Sequence, residues 1–114
     1  MERDGDFNGA TIISKARLLH GGRVATRSVI TGEGEMKSLG LMHPGTYRLT
    51  TEAPETVEIL QGSCRVKLAG EQAWNTYQAG ERFSVPANSF YEIEADDVLD
   101  YVTHHGQAGG AAPA

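Results

Sequence analysis

Short runs in which apolar and polar residues alternate follow one another along the chain, separated by glycine, proline and acidic residues. Runs of about four to eight residues between such turn residues are typical of β-strands, and no helical period of apolar residues interrupts them. The predicted strands are residues 11–14, 16–19, 24–31, 37–42, 45–51, 57–60, 64–68, 74–77, 83–85, 91–94 and 98–103. The pattern predicts an all-β fold, and a single-domain jelly-roll β-barrel fits it best.

Residues 45–62 form the clearest unit of this pattern, a strand, a polar loop and a second strand that ends at a glycine. Side chains alternate between the two faces of a strand. We therefore expect Tyr47, Leu49 and Thr51 to point into the barrel. The polar loop carries Glu55, which is expected at the open end of the barrel.

The same alternation assigns inner faces to other strands. It places Tyr91 and Ile93 inside, and it groups Tyr101 with Thr103 on one face of the last strand. Lys37 has the parity of the leucines that follow it, so a regular strand would turn Lys37 inward as well.

Size and charge limit the possible functions. The chain has 114 residues, enough for one core, with residues 11–105 as the barrel, 1–10 as a flexible N-terminus and 106–114 as a disordered tail. Its net charge of −5 argues against nucleic acid as a partner. No apolar run approaches the roughly 20 residues of a membrane span. A single cysteine, Cys64, is consistent with the reducing cytoplasm.

Two glycine-anchored segments resemble the motifs of the cupin superfamily, G-x5-H-x-H-x(3,4)-E-x6-G and G-x5-P-x-G-x2-H-x3-N. The matching scaffold residues are Gly45, Glu55, Gly62, Gly80 and Pro86. The three motif histidines are replaced by Thr51, Ala53 and Tyr91. Because zinc, iron or manganese needs several converging imidazole or carboxylate ligands, we expect no metal.

A closer resemblance, over residues 7–105, is to the metal-free cupins known as pyrimidine/purine nucleoside phosphorylases. It rests on Leu-Gly-Leu-Met-His-Pro-Gly-Thr-Tyr at 39–47, Thr-Glu-Ala-Pro-Glu at 51–55, Val-Lys-Leu at 66–68, Gly-Glu-Arg-Phe-Ser-Val-Pro-Ala-Asn-Ser at 80–89 and Asp-Tyr at 100–101. The resemblance implies a homodimer that cleaves nucleosides with inorganic phosphate, giving free base and ribose 1-phosphate without a cofactor. A cupin that binds a small molecule without converting it is the alternative.

The chain departs from the usual residues of that family at several positions, and the base preference stays open because of them. The departures are Arg17, Leu19, Leu49, Val57, Thr103 and His105.

Phosphorolysis requires phosphate and ribose to be held close together, and correct orientation alone lowers a barrier by roughly 7–11 kcal/mol. Glu55 is the first catalytic candidate, because a carboxylate accepts hydrogen bonds from ribose hydroxyls; it could also cap a loop. Thr51, the second, could donate to phosphate or ribose, or be an ordinary strand residue. The candidates for binding the nucleoside are Tyr47, Tyr91 and Tyr101, and Ser89 is a candidate for phosphate. The cations considered for phosphate are Lys37, Arg82, Arg27 and Arg48, any of which could instead be a solvated strand residue.

Overall fold

A computed structural model describes residues 6–106 and confirms the all-β architecture. Within this part of the chain, eleven strands and one short 3-10 turn, His20–Gly22, form the regular structure. The strands are β1 Thr11–Ile12, β2 Arg17–Leu19, β3 Val24–Ile30, β4 Met36–Met42, β5 Gly45–Thr50, β6 Glu55–Gln61, β7 Ser63–Leu68, β8 Asn75–Gln78, β9 Arg82–Val85, β10 Phe90–Ala95 and β11 Leu99–His105.

The strands form two antiparallel sheets that enclose one core. The seven-stranded sheet has the order β1-β3-β4-β11-β6-β9, and β2 pairs with β3 beside β1. The four-stranded sheet has the order β5-β10-β7-β8. Side chains of both sheets meet in a continuous apolar cluster that includes Tyr47, Ile59 and Ile93. Because sequence neighbours such as β10 and β11 lie in different sheets, the topology is that of a jelly roll.

The inner face of the large sheet changes from apolar to polar along the strands. Cross-strand partners on one face form rows, and the register fixes which residues share a row. Successive inward pairs across β4 and β11 are Met42–Leu99, Gly40–Tyr101 and Ser38–Thr103. His105 lies one inward position beyond Thr103, and its partner on β6 is Glu55. The apolar core therefore occupies one end of the barrel, and hydroxyl, imidazole and carboxyl groups occupy the other.

Gly40 makes room for an aromatic ring at the boundary between the two ends. A Cβ atom at Gly40 would lie 2.4 Å from Cζ of Tyr101, which is too close for any real contact. The ring of Tyr101 therefore packs directly on the backbone of β4, where only glycine allows so close an approach.

The inward orientation expected for Lys37 is wrong. Leu41 is 53% exposed and Leu39 is exposed too, while Gly40 and Met42 are buried. In the sequence, the apolar residues Leu39 and Leu41 suggest that their side of the strand faces the core. The ring of Tyr101, however, requires Gly40 on the inside, so the leucines face outward. Lys37 shares the outer parity, and its Nζ atom lies 3.6 Å from the Glu35 carboxylate.

The other inward assignments are confirmed. Tyr47, Thr51, Tyr91, Tyr101 and Thr103 are all buried, and Leu49 is half-buried. Cys64 is buried as a free thiol beside Val66, as its alternating strand indicates.

The ends of the chain lie partly outside the described residues. Of the predicted terminal segments, 1–10 and 106–114, positions 1–5 and 107–114 lie outside the described residues. Gly106 is described, and its N–H donates a hydrogen bond to the carbonyl of Pro54 at 2.7 Å. Between residues 6 and 106 there is no helix long and apolar enough to cross a bilayer.

Candidate active site

A cavity of about 240 Å³ opens at the polar end of the barrel, between the two sheets. Residues of both sheets line it, with Ser38, Thr103 and His105 on one side and Leu49 and Tyr91 on the other. Its polar and apolar walls could hold a small ligand that carries both hydroxyl groups and a flat apolar ring.

Glu55 is the only carboxylic acid that lines this cavity within residues 6–106. It is the first residue of β6, so the expectation that it lies on a loop is wrong. Strand pairing begins at Glu55, which is paired with Val85 on β9 and His105 on β11. Its side chain is 16% exposed, and burial raises the pKa of its carboxyl from 4.5 to about 7. Near neutral pH the carboxyl is thus divided between its protonated and ionised forms.

His105 connects Glu55 to a serine of the neighbouring strand. Its Nε2 atom shares a hydrogen bond of 2.7 Å with the Ser38 hydroxyl, and its Nδ1 atom lies 3.9 Å from Oε2 of Glu55. Burial, helped by the positive charges of Lys37 and Arg17, lowers the pKa of His105 below 6.5. The imidazole is therefore neutral at pH 7, with one nitrogen that donates and one that accepts.

The sequence pattern does not indicate this group. It does not distinguish Ser38 from other strand residues, and it marks His105 only as a departure from the family pattern. The signal that could have found them is strand register, because His105, Thr103 and Ser38 adjoin one another only once β4 and β11 are paired.

Two of the three candidate tyrosines line the cavity. Burial and the nearby Glu55 raise the pKa of Tyr101 to about 12, and the same causes raise the pKa of Tyr91 well above 10. Both phenols therefore stay protonated at neutral pH and keep a hydrogen to donate. Tyr47 does not line the cavity. It lies in the core, and its hydroxyl donates to the carbonyls of His43 and Pro44 at 2.8 and 3.3 Å.

Thr51 and Ser89 close a turn beside the cavity and do not line it. The Thr51 hydroxyl donates to the carbonyl of Pro86 at 2.6 Å and accepts from the backbone N–H of Ser89 at 3.0 Å. These bonds engage the Thr51 hydroxyl with the backbone, so the geometry favours the structural interpretation of both residues.

Two arginines border the cavity, Arg48, which is one of the four cations considered for phosphate, and Arg17, which is not among them. Arg82 is on β9 and pairs with Glu58 at 3.4 Å, and Lys37 lies on the outer face of β4. The guanidinium of Arg48 stacks over the ring of Phe90 at 3.7 Å. Both residues adjoin inward-pointing ones, so this stacked pair lies on the outer face of the small sheet. Within the described part of the chain, the Arg17 guanidinium has no hydrogen-bond or ion-pair partner.

Most positions at which the chain departs from the family pattern border the cavity. Arg17, Leu19, Leu49, Thr103 and His105 all line it, whereas Val57 is buried in the core. The walls of the cavity thus differ from the usual pattern where they would contact a ligand, while the scaffold is retained.

No group of three or more histidine, cysteine, aspartate or glutamate side chains is placed to hold a metal ion among residues 6–106. The cavity offers one carboxyl, one imidazole, the guanidinium group of Arg17 and several hydroxyls. Such a set suits an anion together with a polyhydroxy ligand.

A two-sheet jelly roll with a polar cavity at one end of its core defines a small cupin protein. The cupin domain of Drosophila melanogaster CENP-C superposes with a TM-score of 0.64 over 81% of this chain and 74% of that one. Because the two sequences are only 15% identical, this similarity supports the fold alone. The family model for pyrimidine/purine nucleoside phosphorylase matches residues 14–105, and the chain belongs to this family.

Individual relatives agree with this assignment. The pyrimidine/purine nucleoside phosphorylase of Cupriavidus pinatubonensis is 44% identical over 88% of this chain and 95% of its own length. The one of Methylococcus capsulatus is 43% identical over 88% and 97%. A crystal structure of a protein of unknown function from Acinetobacter sp. ADP1 is 38% identical, with a TM-score of 0.85 over 88% of this chain and 97% of that one.

Proposed function

We propose that the protein cleaves purine and pyrimidine nucleosides with inorganic phosphate, releasing the free base and ribose 1-phosphate. The reaction transfers a pentosyl group from nitrogen to phosphate. Family membership supports it, and the observation that carries it is that Arg17 and Glu55 line one cavity. A guanidinium group for phosphate and a carboxyl for ribose hydroxyls are thus available in the same small space.

Phosphate binds at Arg17 in this proposal. Arginine presents a planar fork of N–H donors that matches two phosphate oxygens. The Arg17 guanidinium has no side-chain partner among residues 6–106 and is free to engage a ligand, whereas Arg48 is stacked on Phe90 on the outer face of the small sheet. Arg17 therefore makes the main contact with phosphate.

The nucleoside binds across the remaining walls. Oε2 of Glu55 faces His105, which leaves Oε1 to accept hydrogen bonds from the ribose 2′- and 3′-hydroxyls. The phenols of Tyr91 and Tyr101 donate to the sugar or the base, and Leu49 contacts the flat face of the base. Positive charge that develops on the sugar as the glycosidic bond breaks is stabilised by the incoming phosphate.

No metal or organic cofactor takes part in the proposed reaction, since the phosphate dianion is itself the nucleophile. We place the reaction in the cytoplasm, where a buried free thiol such as that of Cys64 stays reduced.

Incubation of the purified protein with uridine, adenosine or inosine, with and without phosphate, tests the proposal. We expect chromatography to show free base only when phosphate is present, with one ribose 1-phosphate formed for each base. Base released without phosphate would indicate hydrolysis instead. A nucleoside that raises the melting temperature but yields no product would identify a binding protein.

We further propose that two copies of the chain form a dimer through the outer face of the large sheet. An outer apolar patch, made of Ile12, Leu18, Leu39 and Leu41, is exposed on neighbouring strands. Cross-strand pairing of Ala25 with both Leu18 and Leu41 makes the patch continuous. A flat apolar face that pairs with its own copy is the usual basis of a twofold dimer.

Substitution of Leu41→Lys is expected to convert the dimer to a monomer, because it brings two buried charges to the centre of the interface. Sedimentation equilibrium should show the mass falling by half, while the circular dichroism spectrum stays unchanged. Val98→Lys places the same charge on an exposed apolar residue outside the outer apolar patch and should leave the dimer intact. A monomeric unsubstituted protein, or a dimer that survives Leu41→Lys, would contradict this interface.

A further inference from the structure

Ser38, His105 and Glu55 form a line of three groups along one wall of the cavity. Ser38 is on β4, His105 is the last residue of β11, and Glu55 is the first residue of β6. The two outer groups both line the cavity, and the imidazole joins them. Neither Ser38 nor His105 is needed to bind phosphate or ribose as described above.

We propose that these three side chains form a proton relay that protonates the leaving base through the Ser38 hydroxyl. This inference rests on the proposed phosphorolysis and adds a catalytic residue, Ser38, and a residue that acts through it, His105. The substrates it favours are nucleosides whose base would otherwise leave as an anion.

The hydrogen bonds give the relay a direction. When Glu55 carries a proton on Oε2, it donates to Nδ1 of His105, Nε2–H donates to the Ser38 oxygen, and the Ser38 hydroxyl hydrogen points into the cavity. The Nδ1 to Oε2 distance of 3.9 Å must shorten by about 1 Å to make the first of these bonds. Contacts of catalytic groups commonly tighten in this way when substrate binds.

Protons and electrons balance over one cycle. As phosphate oxygen bonds to the anomeric carbon, the electron pair of the glycosidic bond leaves with the base. The base takes the Ser38 proton, Ser38 takes the Nε2 proton of His105, and Nδ1 takes the proton of Glu55. Hydrogenphosphate loses its own proton to solvent, and Glu55 recovers one from solvent, so no net proton is consumed.

Charged and titratable groups around the relay favour a proton on the carboxyl and not on the imidazole. Arg17 from β2, Lys37 from β4 and the adjacent His104 disfavour a charged His105. The buried phenols of Tyr91 and Tyr101 face Glu55 from β10 and β11, and Arg48 borders the cavity from β5. Burial raises the pKa of Glu55 to about 7, so kcat on an ordinary nucleoside should fall as the pH rises above 7.

A pair of substrates separates this relay from a purely structural role. The purine of 7-methylguanosine already carries a positive charge and leaves as a neutral base, whereas the base of inosine needs a proton. We expect Ser38→Ala and His105→Gln to lower kcat on inosine about 100-fold, the lower end for loss of a general acid. On 7-methylguanosine they should change kcat less than about 3-fold.

The matched control is His43→Gln, which alters an exposed histidine in the turn between β4 and β5, away from the cavity. It should leave both substrates unaffected. Equal losses on the two substrates, or no loss on inosine, would overturn the relay. If the unsubstituted protein cleaves neither substrate with phosphate, the proposed function itself fails.

Nitrogen-15 NMR of the imidazole tests the relay without any turnover. The tautomer of His105 should change from Nε2–H to Nδ1–H as the pH rises through about 7, where Glu55 loses its proton. In Glu55→Gln the tautomer should no longer respond to pH in this range. A His105 tautomer that is independent of pH in the unsubstituted protein would contradict the relay, whatever the activity of the variants.

Discussion

Glu55→Gln is expected to lower kcat/KM for nucleoside phosphorolysis about 100-fold or more, a typical cost for removing a general acid. The amide has nearly the same shape as the carboxyl but can neither bind ribose hydroxyls as an anion nor supply a proton. Steady-state kinetics at saturating phosphate would measure the loss. Because the side chain is only 16% exposed and stays uncharged in the variant, the fold should be retained.

The same substitution should stabilise the protein at high pH. The folded-state pKa of Glu55 lies near 7, above its unfolded value of 4.5. The stability tied to its protonated form is therefore fully present below pH 4.5 and is lost as the pH rises through 7. Glutamine does not ionise, so the melting temperature of Glu55→Gln should exceed that of the unsubstituted protein more at pH 8.5 than at pH 4. Burial lowers the pKa of His105, so its contribution to stability changes with pH in the opposite direction. Because His105 is present in both proteins, this contribution cancels in the comparison.

Glu58→Gln is the matched control, since Glu58 lies on the opposite face of the same strand and pairs with His104 and Arg82. It should retain activity and show no such gain at high pH. Full activity of Glu55→Gln would remove Glu55 from the proposed site.

Arg17→Ala is expected to weaken the use of phosphate about 10- to 100-fold, because a hydrogen bond to a charged group contributes about 1.5–3 kcal/mol. The loss should be in the KM for phosphate more than in the KM for the nucleoside, as Arg17 contacts only the phosphate in the proposed complex. Initial rates with phosphate varied at fixed nucleoside concentration measure it, and added salt should raise the KM of the unsubstituted protein for the same reason.

Arg82→Ala serves as the control, because Arg82 is an exposed arginine that pairs with Glu58 and does not line the cavity. Its KM for phosphate should be unchanged. If Arg82→Ala impaired the use of phosphate and Arg17→Ala did not, the phosphate site would lie at Arg82, as the sequence suggests, and not at Arg17.

The fold was predictable because each strand shows its own pattern of apolar and polar residues in the local sequence. Alternation of apolar and polar residues depends on each strand alone, so the faces of Tyr91, Ile93, Tyr101 and Thr103 could be assigned without any knowledge of pairing. The face of Lys37 could not be assigned in this way. It depends on Tyr101, more than 60 positions away, because the Tyr101 ring requires Gly40 on the inside and so turns Lys37 outward.

The site was predictable only in part, because it depends on register between distant strands. Glu55, Tyr91 and Tyr101 were found from motif spacing and parity, and they line one cavity. Ser38 and His105 come together through the pairing of β4 with β11, which no local pattern reveals. Thr51 was correctly predicted to point inward but does not line the cavity. Its hydroxyl is hydrogen-bonded to backbone groups and is therefore not available to a ligand.

A crystal structure with a nucleoside and phosphate bound would test most directly whether the two substrates meet in this cavity. We predict ribose hydroxyls within hydrogen-bond distance of Glu55, phosphate against Arg17, and the base nitrogen of the glycosidic bond facing the Ser38 side of the cavity. Substrates bound at another surface, with the cavity between the sheets left free of both, would contradict the account.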